Sequence, residues 1–429
     1  MLSKETHVVI LGGGFGGLAA ARALGRRGLR DRVRVTLLDR KNHHVFQPLL
    51  YQVATAALSA PDIASPIRKL LRRNTNTTVL MAEVVRIDPK ARVVVLMGDE
   101  EKEQELAFDH LIVATGMQNS YFGNDAWEAH APGLKTLDEA LEIRSRILRA
   151  FEGAERTRDE AERKKLLTFV VVGGGATGVE LAGALAEIAG KTLARDFRNF
   201  DPRKTRVVLL EGGARLLPAF DARLSQKALE SLQGLGVDVR LNTRVTNVEA
   251  RGVQVGDELI ASHTVLWAAG LKASSLTAQL GAPLDRAGRV KVNPDLTLPE
   301  NDRISVLGDL IALEQDGKPL PGVAQTAIQS GELAAANIVA TLDGKPRKAF
   351  RYWDKGSMAT IGRARAIAEV KGLRLSGFIA WMMWLFIHVL FLVDFRNRLA
   401  VLFEWAWAYV SWQRSSRVIL ASHETRKPS

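Results

Sequence analysis

A chain of 429 residues is long enough for two or three domains, and its 47% hydrophobic and 25% charged residues suit globular cores. The formal charge of +12 fits an anionic partner, whether nucleic acid, anionic lipid or a phosphate-bearing cofactor. Cysteine is absent, which excludes disulfides, thiolate metal sites and any redox-active dithiol.

From the N-terminus, Lys4 and Glu5 lead directly into His7-Val8-Val9-Ile10-Leu11. This reads as a buried strand and not as a cleavable apolar signal, so the catalytic part is expected in the cytosol. Gly12, Gly14 and Gly17 follow in a GxGxxG pattern, then an Ala/Leu-rich helical stretch, then a strand closing on Asp39. In such a βαβ unit the first glycine permits the tight turn, the second lets backbone approach a pyrophosphate, and the third lets helix pack on strand. The helix N-terminus offers unpaired N–H groups to phosphate, and the acid accepts hydrogen bonds from ribose hydroxyls.

His43 and His44 lack partner ligands at metal spacing and read as ordinary loop histidines. Arg68, Lys69, Arg72 and Arg73 read as a solvated helix face without interleaved aromatics, which argues against nucleic acid. The segments at Leu111, Val265 and Ile304 read as later strands of the first unit, the last closed by Asp309. The charged stretch from Glu152 to Lys165 reads as a solvated helix or linker.

A second strand–loop–helix begins at Phe169, its Gly173, Gly175 and Gly178 repeating the first pattern and its next strand ending at Glu211. Two βαβ units imply two nucleotide-binding domains. A carboxylate at Glu211 repels a 2′-phosphate, which favours NADH; Arg215, three glycine/alanine positions further on, leaves dual use open.

From Ser376 the composition changes. Residues 376–412 hold Trp381, Trp384, Trp405, Trp407 and Trp412, five of the eight tryptophans. Residues 377–393 (GFIAWMMWLFIHVLFLV) carry no Asp, Glu, Lys or Arg, at the lower limit for a spanning helix. A second apolar run, residues 399–412, follows Asp394, Arg396 and Arg398. Tryptophans and arginines so placed suit an interfacial helix, and residues 361–429 hold ten Lys/Arg against four Asp/Glu, which favours an anionic leaflet. Monotopic attachment ranks first, a dimer surface that also helps attachment second, and a spanning helix third.

Several stretches together carry a resemblance: residues 44–52 (HVFQPLLYQ), 178–180 (GVE), 211–220 (EGGARLLPAF), 324–329 (AQTAIQ) and 354–362 (DKGSMATIG), with the aromatic tail. The chain resembles the two-dinucleotide reductases. Within them it looks like the type II NADH dehydrogenases, single-chain NADH:quinone oxidoreductases, over essentially its whole length. The resemblance implies hydride transfer from NADH to FAD and two electrons onward to a membrane quinone. It implies that Gly12, Gly14, Gly17 and Asp39 hold the adenosine diphosphate half of FAD. Thr115 and Gly116 would line the cofactor, Asp309 would bind the ribityl chain, and Ala327 would lie under the flavin. Pro48 would sit in the loop that carries cysteines in disulfide reductases. Gly175, Gly178, Glu180, Glu211 and Gly270 would meet NADH, with Glu180 beside the nicotinamide. Gln325 and Gln329 would stand at the quinone mouth, and Lys355 would stabilise negative charge or relay a proton.

Plainer readings stand beside these. Glu180 at a helix start favours the dipole in any case. Gln325 and Gln329, four apart, share a helix face that is otherwise a solvated one. Lys355 is an ordinary surface charge until shown otherwise.

The expected architecture is α/β: two Rossmann-like dinucleotide-binding domains plus a C-terminal amphipathic helical membrane-attachment region. Residues 1–120 form the first part of the FAD domain, 121–270 an inserted NADH domain, 271–362 the second FAD part with the quinone segment, and 363–429 the membrane-anchoring helices. The expected protein is a non-pumping, FAD-dependent NADH:quinone oxidoreductase of a respiratory chain, a homodimer without metal. It would be monotopic on the cytoplasmic face of a bacterial inner membrane with an anionic lipid surface. Alternatives are a reductase for a protein electron carrier and a non-catalytic NADH-sensing flavoprotein. Sulfide:quinone oxidoreductases share the fold, but their chemistry uses cysteines that this chain lacks.

Overall fold

The computed structural model describes residues 5–97, 102–411 and 416–419; Lys4 and Trp412 lie outside the described residues. The chain forms two compact units. One comprises Met1–Val45, Ala64–Gln118 and Leu271–Asp354, the other Phe46–Ile63, Asn119–Gly270 and Lys355–Ser429.

In chain order the first unit supplies β1 (Thr6–Leu11), α1 (Phe15–Leu24), β2 (Val33–Asp39), β3 (Thr77–Met81) and β4 (His110–Val113). The second unit adds α2 (Leu137–Arg156), β5 (Thr168–Val172), α3 (Ala176–Glu187), β6 (Arg206–Leu210), β7 (Val237–Arg240) and β8 (Thr264–Trp267). The first resumes with β9 (Asn301–Val306) and α4 (Ala324–Leu342). The second closes with β10 (Ser357–Gly362), β11 (Arg365–Val370), β12 (Leu373–Gly377), α5 (Phe378–Phe391) and α6 (Phe395–Ser411).

In the first unit six strands pair in the order Thr297–Leu298, β9, β4, β1, β2, β3. β1 is central and parallel to both neighbours, Ile10 facing Leu37 on one side and Ile112 on the other. Its apolar run is buried on both faces, with Val8, Val9 and Ile10 at 0% exposure, as a parallel sheet demands. The strand order reverses at β1, and that is where such sheets open a ligand crevice at their carboxyl ends.

The second unit repeats the arrangement with four parallel strands, β7-β6-β5-β8. Here the sequence reading needs correction: the strand at Val265 belongs to the second unit, because β8 pairs with β5, Val265 opposite Val170. Hydrophobicity marks both sheets alike, so only the pairing register separates them. The stretch from Glu152 divides as well. Its first residues finish α2, which a Thr136/Glu139 capping box starts and whose Ile143, Ile147 and Phe151 are buried. Asp159 then caps a short helix, Glu160–Leu166.

Residues 357–377 are a three-stranded antiparallel meander, β10 to β12. The 362/363 boundary of the sequence reading therefore falls inside it, and the helices expected to anchor begin at Phe378. Residues 46–63, expected with the FAD domain, cluster with the second unit instead. In that unit α2 and α3 both pack on the helix at Leu50–Ala54, and α3 also packs on β10.

α5 is apolar on both faces. Trp381 and Trp384 are buried, while Phe378, Ile379 and Phe386 are more than half exposed. α6 buries Val401 and Trp405 and exposes Leu399 and Phe403. Three of the tail tryptophans therefore serve as packing anchors and not as interfacial rings; Trp407, at 52% exposure, turns its ring outward. Each buried indole stabilises the tail by roughly 2–3 kcal/mol. Among the described residues no helix is long and apolar enough to cross a membrane. At 14 residues α5 spans about 21 Å, short of the ~30 Å hydrocarbon core.

Candidate active site

In the first unit the residues expected to hold FAD gather at one sheet edge. Gly12 follows β1, Asp39 ends β2, Thr115 and Gly116 follow β4, Asp309 follows β9, and Ala327 lies in the first turn of α4. Gly12 has φ +100, and a Cβ there would overlap the Ala114 carbonyl; one on Gly17 would overlap the Gly12 carbonyl. A Cβ on Gly14 would meet nothing within 4 Å, so the space before the α1 N-terminus is open. The Thr115 hydroxyl is buried without a hydrogen-bond partner. An open cradle of N–H groups with an orphaned hydroxyl beside it fits the diphosphate and sugar of FAD.

Asp39 also shapes the loop. Its Oδ2 accepts from the Gly13 N–H at 2.6 Å and its Oδ1 from the Lys41 N–H at 2.7 Å. Each carboxylate oxygen keeps a lone pair for a ribose hydroxyl. His44 completes the support: its Nδ1 lies 3.0 Å from the Gly13 carbonyl and its ring meets Phe15 edge-on at 4.9 Å. Burial pushes its pKa down to about 4, so the ring is neutral and Nδ1 donates. Sequence reading took His44 for an ordinary loop residue; no spacing signal reveals a contact 31 positions away.

α4 crosses α1 closely because both carry glycine at the crossing. A Cβ on Gly331 would overlap the Gly16 carbonyl, and one on Gly16 would come within 3.1 Å of the Ala327 carbonyl. Gln325 and Gln329 lie on this helix, each half-buried. The Gln329 amide is paired with backbone: its Nε2 donates to the Trp353 carbonyl at 3.1 Å, and its Oε1 accepts from the Trp353 N–H at 2.9 Å.

The second unit repeats the nucleotide cradle. Gly175 opens onto empty space, while a Cβ on Gly178 would overlap the Gly173 carbonyl. Glu211 clamps the loop as Asp39 does, with Oε2 accepting from Gly174 and Oε1 from Gly213, each at 2.5 Å. Arg215 is turned onto the Pro218 carbonyl at 2.7 Å. Gly270 has φ +74, and its carbonyl accepts from the Ser120 N–H at 3.2 Å.

Glu180 is the fifth residue of α3, beyond the first turn, so helix-dipole capping does not account for it. It faces a cavity of about 90 Å³ lined also by Gln52, Glu187, Arg363, Trp384 and Trp405. The carboxyl touches that space yet is surrounded by protein, and this desolvation pushes its pKa up to about 8; the Thr360 N–H offsets part of the rise. Gln52 binds the cavity wall together, accepting from Trp405 Nε1 at 2.7 Å and donating to the Tyr51 hydroxyl at 2.8 Å. Trp384 Nε1, buried in the same wall, has no hydrogen-bond partner.

Pro48 is the middle residue of a 3₁₀ turn, Gln47–Leu49. The preceding Phe46 meets His388 of α5 edge-on at 6.2 Å. Lys355 is exposed, its ammonium 5.7 Å from the centre of the Phe391 ring. The sequence residues thus form two groups. Gly12, Gly14, Gly17, Asp39, Thr115, Gly116, Asp309, Gln325, Ala327 and Gln329 stand on one unit; Pro48, Gly175, Gly178, Glu180, Glu211, Gly270 and Lys355 stand on the other.

Comparison with known proteins agrees with this geometry. Residues 6–331 match the pyridine nucleotide-disulphide oxidoreductase family, and residues 354–411 match the NDH2 C-terminal domain. A type II NADH:quinone oxidoreductase of Mycobacterium tuberculosis is 45% identical, covering 97% of this chain and 90% of its own length. One from Haemophilus influenzae is 30% identical over 85% of this chain and 87% of its own. Among solved structures, NDH2 from Plasmodium falciparum in complex with NADH superposes with a TM-score of 0.86 at 21% identity, over 97% of this chain and 100% of that one. The sulfide:quinone oxidoreductase of Aquifex aeolicus follows the same fold, with a TM-score of 0.72 at 20% identity and 95% of each chain covered.

Proposed function

Since the chain belongs to the type II NADH:quinone oxidoreductases, we infer how it divides that reaction among its own residues. The protein transfers electrons from NADH to quinone without pumping protons, using FAD. The observation that carries the assignment of residues is the doubled cradle: two βαβ units, each with an open glycine loop clamped by an acid.

FAD supplies the two-electron chemistry that links a hydride donor to a quinone. In this reading Gly12, Gly14, Gly17 and Asp39 hold its adenosine diphosphate half, Thr115 and Gly116 line it, and Asp309 takes the ribityl chain. Ala327 lies under the flavin ring, and Pro48 sits in the loop that carries cysteines in disulfide reductases. Gly175, Gly178 and Gly270 seat NADH, and Glu211 accepts from its ribose and selects against a 2′-phosphate.

Glu180 lies beside the nicotinamide. Quinone needs two protons to become quinol, and the hydride accounts for only one. A carboxyl that is neutral at pH 7 and ionises near pH 8 can supply the second proton to the two-electron-reduced acceptor as positive charge develops on the nicotinamide. Solvent then reprotonates it. Gln325 and Gln329 frame the quinone mouth, and Lys355 offsets negative charge during reduction.

The exposed apolar faces of α5 and α6 support monotopic attachment to an anionic membrane. The proposed place is the cytoplasmic side of a bacterial inner membrane, with a homodimer as the working assembly. Anaerobic stopped-flow absorbance tests the reaction: NADH should bleach the flavin rapidly, and a short-chain quinone should restore it. Bleaching without recovery would reject quinone as the acceptor and point to a protein carrier.

A further inference from the structure

Two glutamines grip consecutive residues of one extended segment. Gln315 donates to the Tyr352 carbonyl at 3.1 Å and accepts from the Tyr352 N–H at 2.8 Å. Gln329 makes the same two-point pairing with Trp353, at 3.1 and 2.9 Å. A primary amide paired in this way reproduces a strand's hydrogen bonding, so residues 352 and 353 are held as if by neighbouring strands on either side. Tyr352 points inward at 8% exposure, and its hydroxyl pairs with the Thr326 side chain. Trp353 points outward at 61% exposure.

This stitching runs along the opening turns of α4, to Thr326 and then Gln329. Gln325 lies one turn from Gln329 on the same face. The pinned segment therefore displays a large aromatic beside the helix face assigned to the quinone. An indole whose backbone is already fixed loses little freedom when a flat ring packs on it. The Gln329 amide, with both its oxygen and its nitrogen engaged on Trp353, is poorly placed to hold a substrate directly.

We propose that Gln329 is a positioning residue for quinone reduction: with Gln315 it pins the Tyr352–Trp353 backbone, and the exposed Trp353 indole is the surface on which the quinone ring packs. This rests on the quinone reading above.

The test uses full-length, FAD-loaded protein in detergent with a short-chain quinone, each variant checked by its flavin spectrum. Trp353→Ala should raise the quinone KM about three- to tenfold, the range expected for one aromatic contact, with a smaller change in kcat. Trp353→Phe should restore most of the affinity. Gln329→Met should raise KM by the same factor, and the double variant should be no worse than either single one. Gln329→Glu sets a carboxylate oxygen against the Trp353 carbonyl, acceptor facing acceptor, so it should raise KM at least as far; it carries the cycle if Gln329→Met fails to retain FAD. Multiplying effects in the double variant would show that Gln329 touches quinone itself and would overturn the proposal. So would an unchanged quinone KM in Trp353→Ala, including the case where only vesicle binding is lost. A wild-type protein that NADH bleaches but quinone does not reoxidise would overturn both the quinone reading and this one; normal wild-type turnover confines any failure to the pinning.

Discussion

Glu180 shows how much a single side chain depends on residues far away in sequence. The cavity it faces is lined not only by Ala184 and Glu187 of α3 but by Tyr51, Thr360 and Trp384, from three other segments. Together they hold the carboxyl neutral to about pH 8. Binding a cationic nicotinamide favours the carboxylate, so NAD+ must displace the proton wherever the free protein still carries it. NAD+ affinity should therefore rise as pH goes from 7 to 9 and level off above the free-protein pKa. In Glu180→Gln the affinity should be flat over the same range. Titration of the flavin spectrum with NAD+ at several pH values reads this directly, and equal slopes in the two proteins would remove Glu180 from the nicotinamide pocket. Sequence alone placed Glu180 by resemblance, because burial by distant segments has no local signature. His44, Gln52 and Gln315 were missed for the same reason. Each acts through one long-range hydrogen bond or stitch, to Gly13, Trp405 and Tyr352 respectively.

At the scale of elements, the two glycine loops were legible because turn, strand and helix each leave a mark within about thirty residues. The acids closing β2 and β6 followed from the same pattern. What escaped was pairing: β8 looks like any buried strand until its partner β5 is known, and the meander was split, β10 going to the FAD domain and β11 and β12 to the anchoring tail. The meander packs closely on α3. A Cβ on Gly183 would overlap the Ile361 carbonyl of β10, so only glycine lets helix and strand meet. Gly183→Ala should cost about 1–3 kcal/mol, the usual penalty for overpacking. It should also disturb Glu180, three residues earlier on the same helix. Gly190→Ala, where an added Cβ meets nothing within 4 Å, is the matched control. Thermal unfolding of both variants decides the matter, since equal melting temperatures would mean that α3 shifts freely against the meander.

For the whole molecule, charge and apolar surface act together. In the proposed attachment the net charge of +12 would draw the protein to an anionic surface, and the exposed Phe378, Ile379, Phe386, Leu399 and Phe403 would then enter the boundary between headgroups and acyl chains. The first effect is screened within about 8 Å at physiological salt and the second is not. Binding to vesicles should therefore have two separable parts. Raising salt should weaken association with anionic vesicles towards, but not below, the level seen with neutral ones. Phe386→Asp with Phe403→Asp should abolish that residual, salt-insensitive binding while NADH still bleaches the flavin at the wild-type rate, because neither ring lies in the proposed cofactor sites. Co-sedimentation with vesicles of both compositions across a salt series separates the contributions. If the double variant still binds neutral vesicles as the wild type does, the exposed faces of α5 and α6 do not meet lipid, and the homodimer interface becomes the reading to test next by analytical ultracentrifugation.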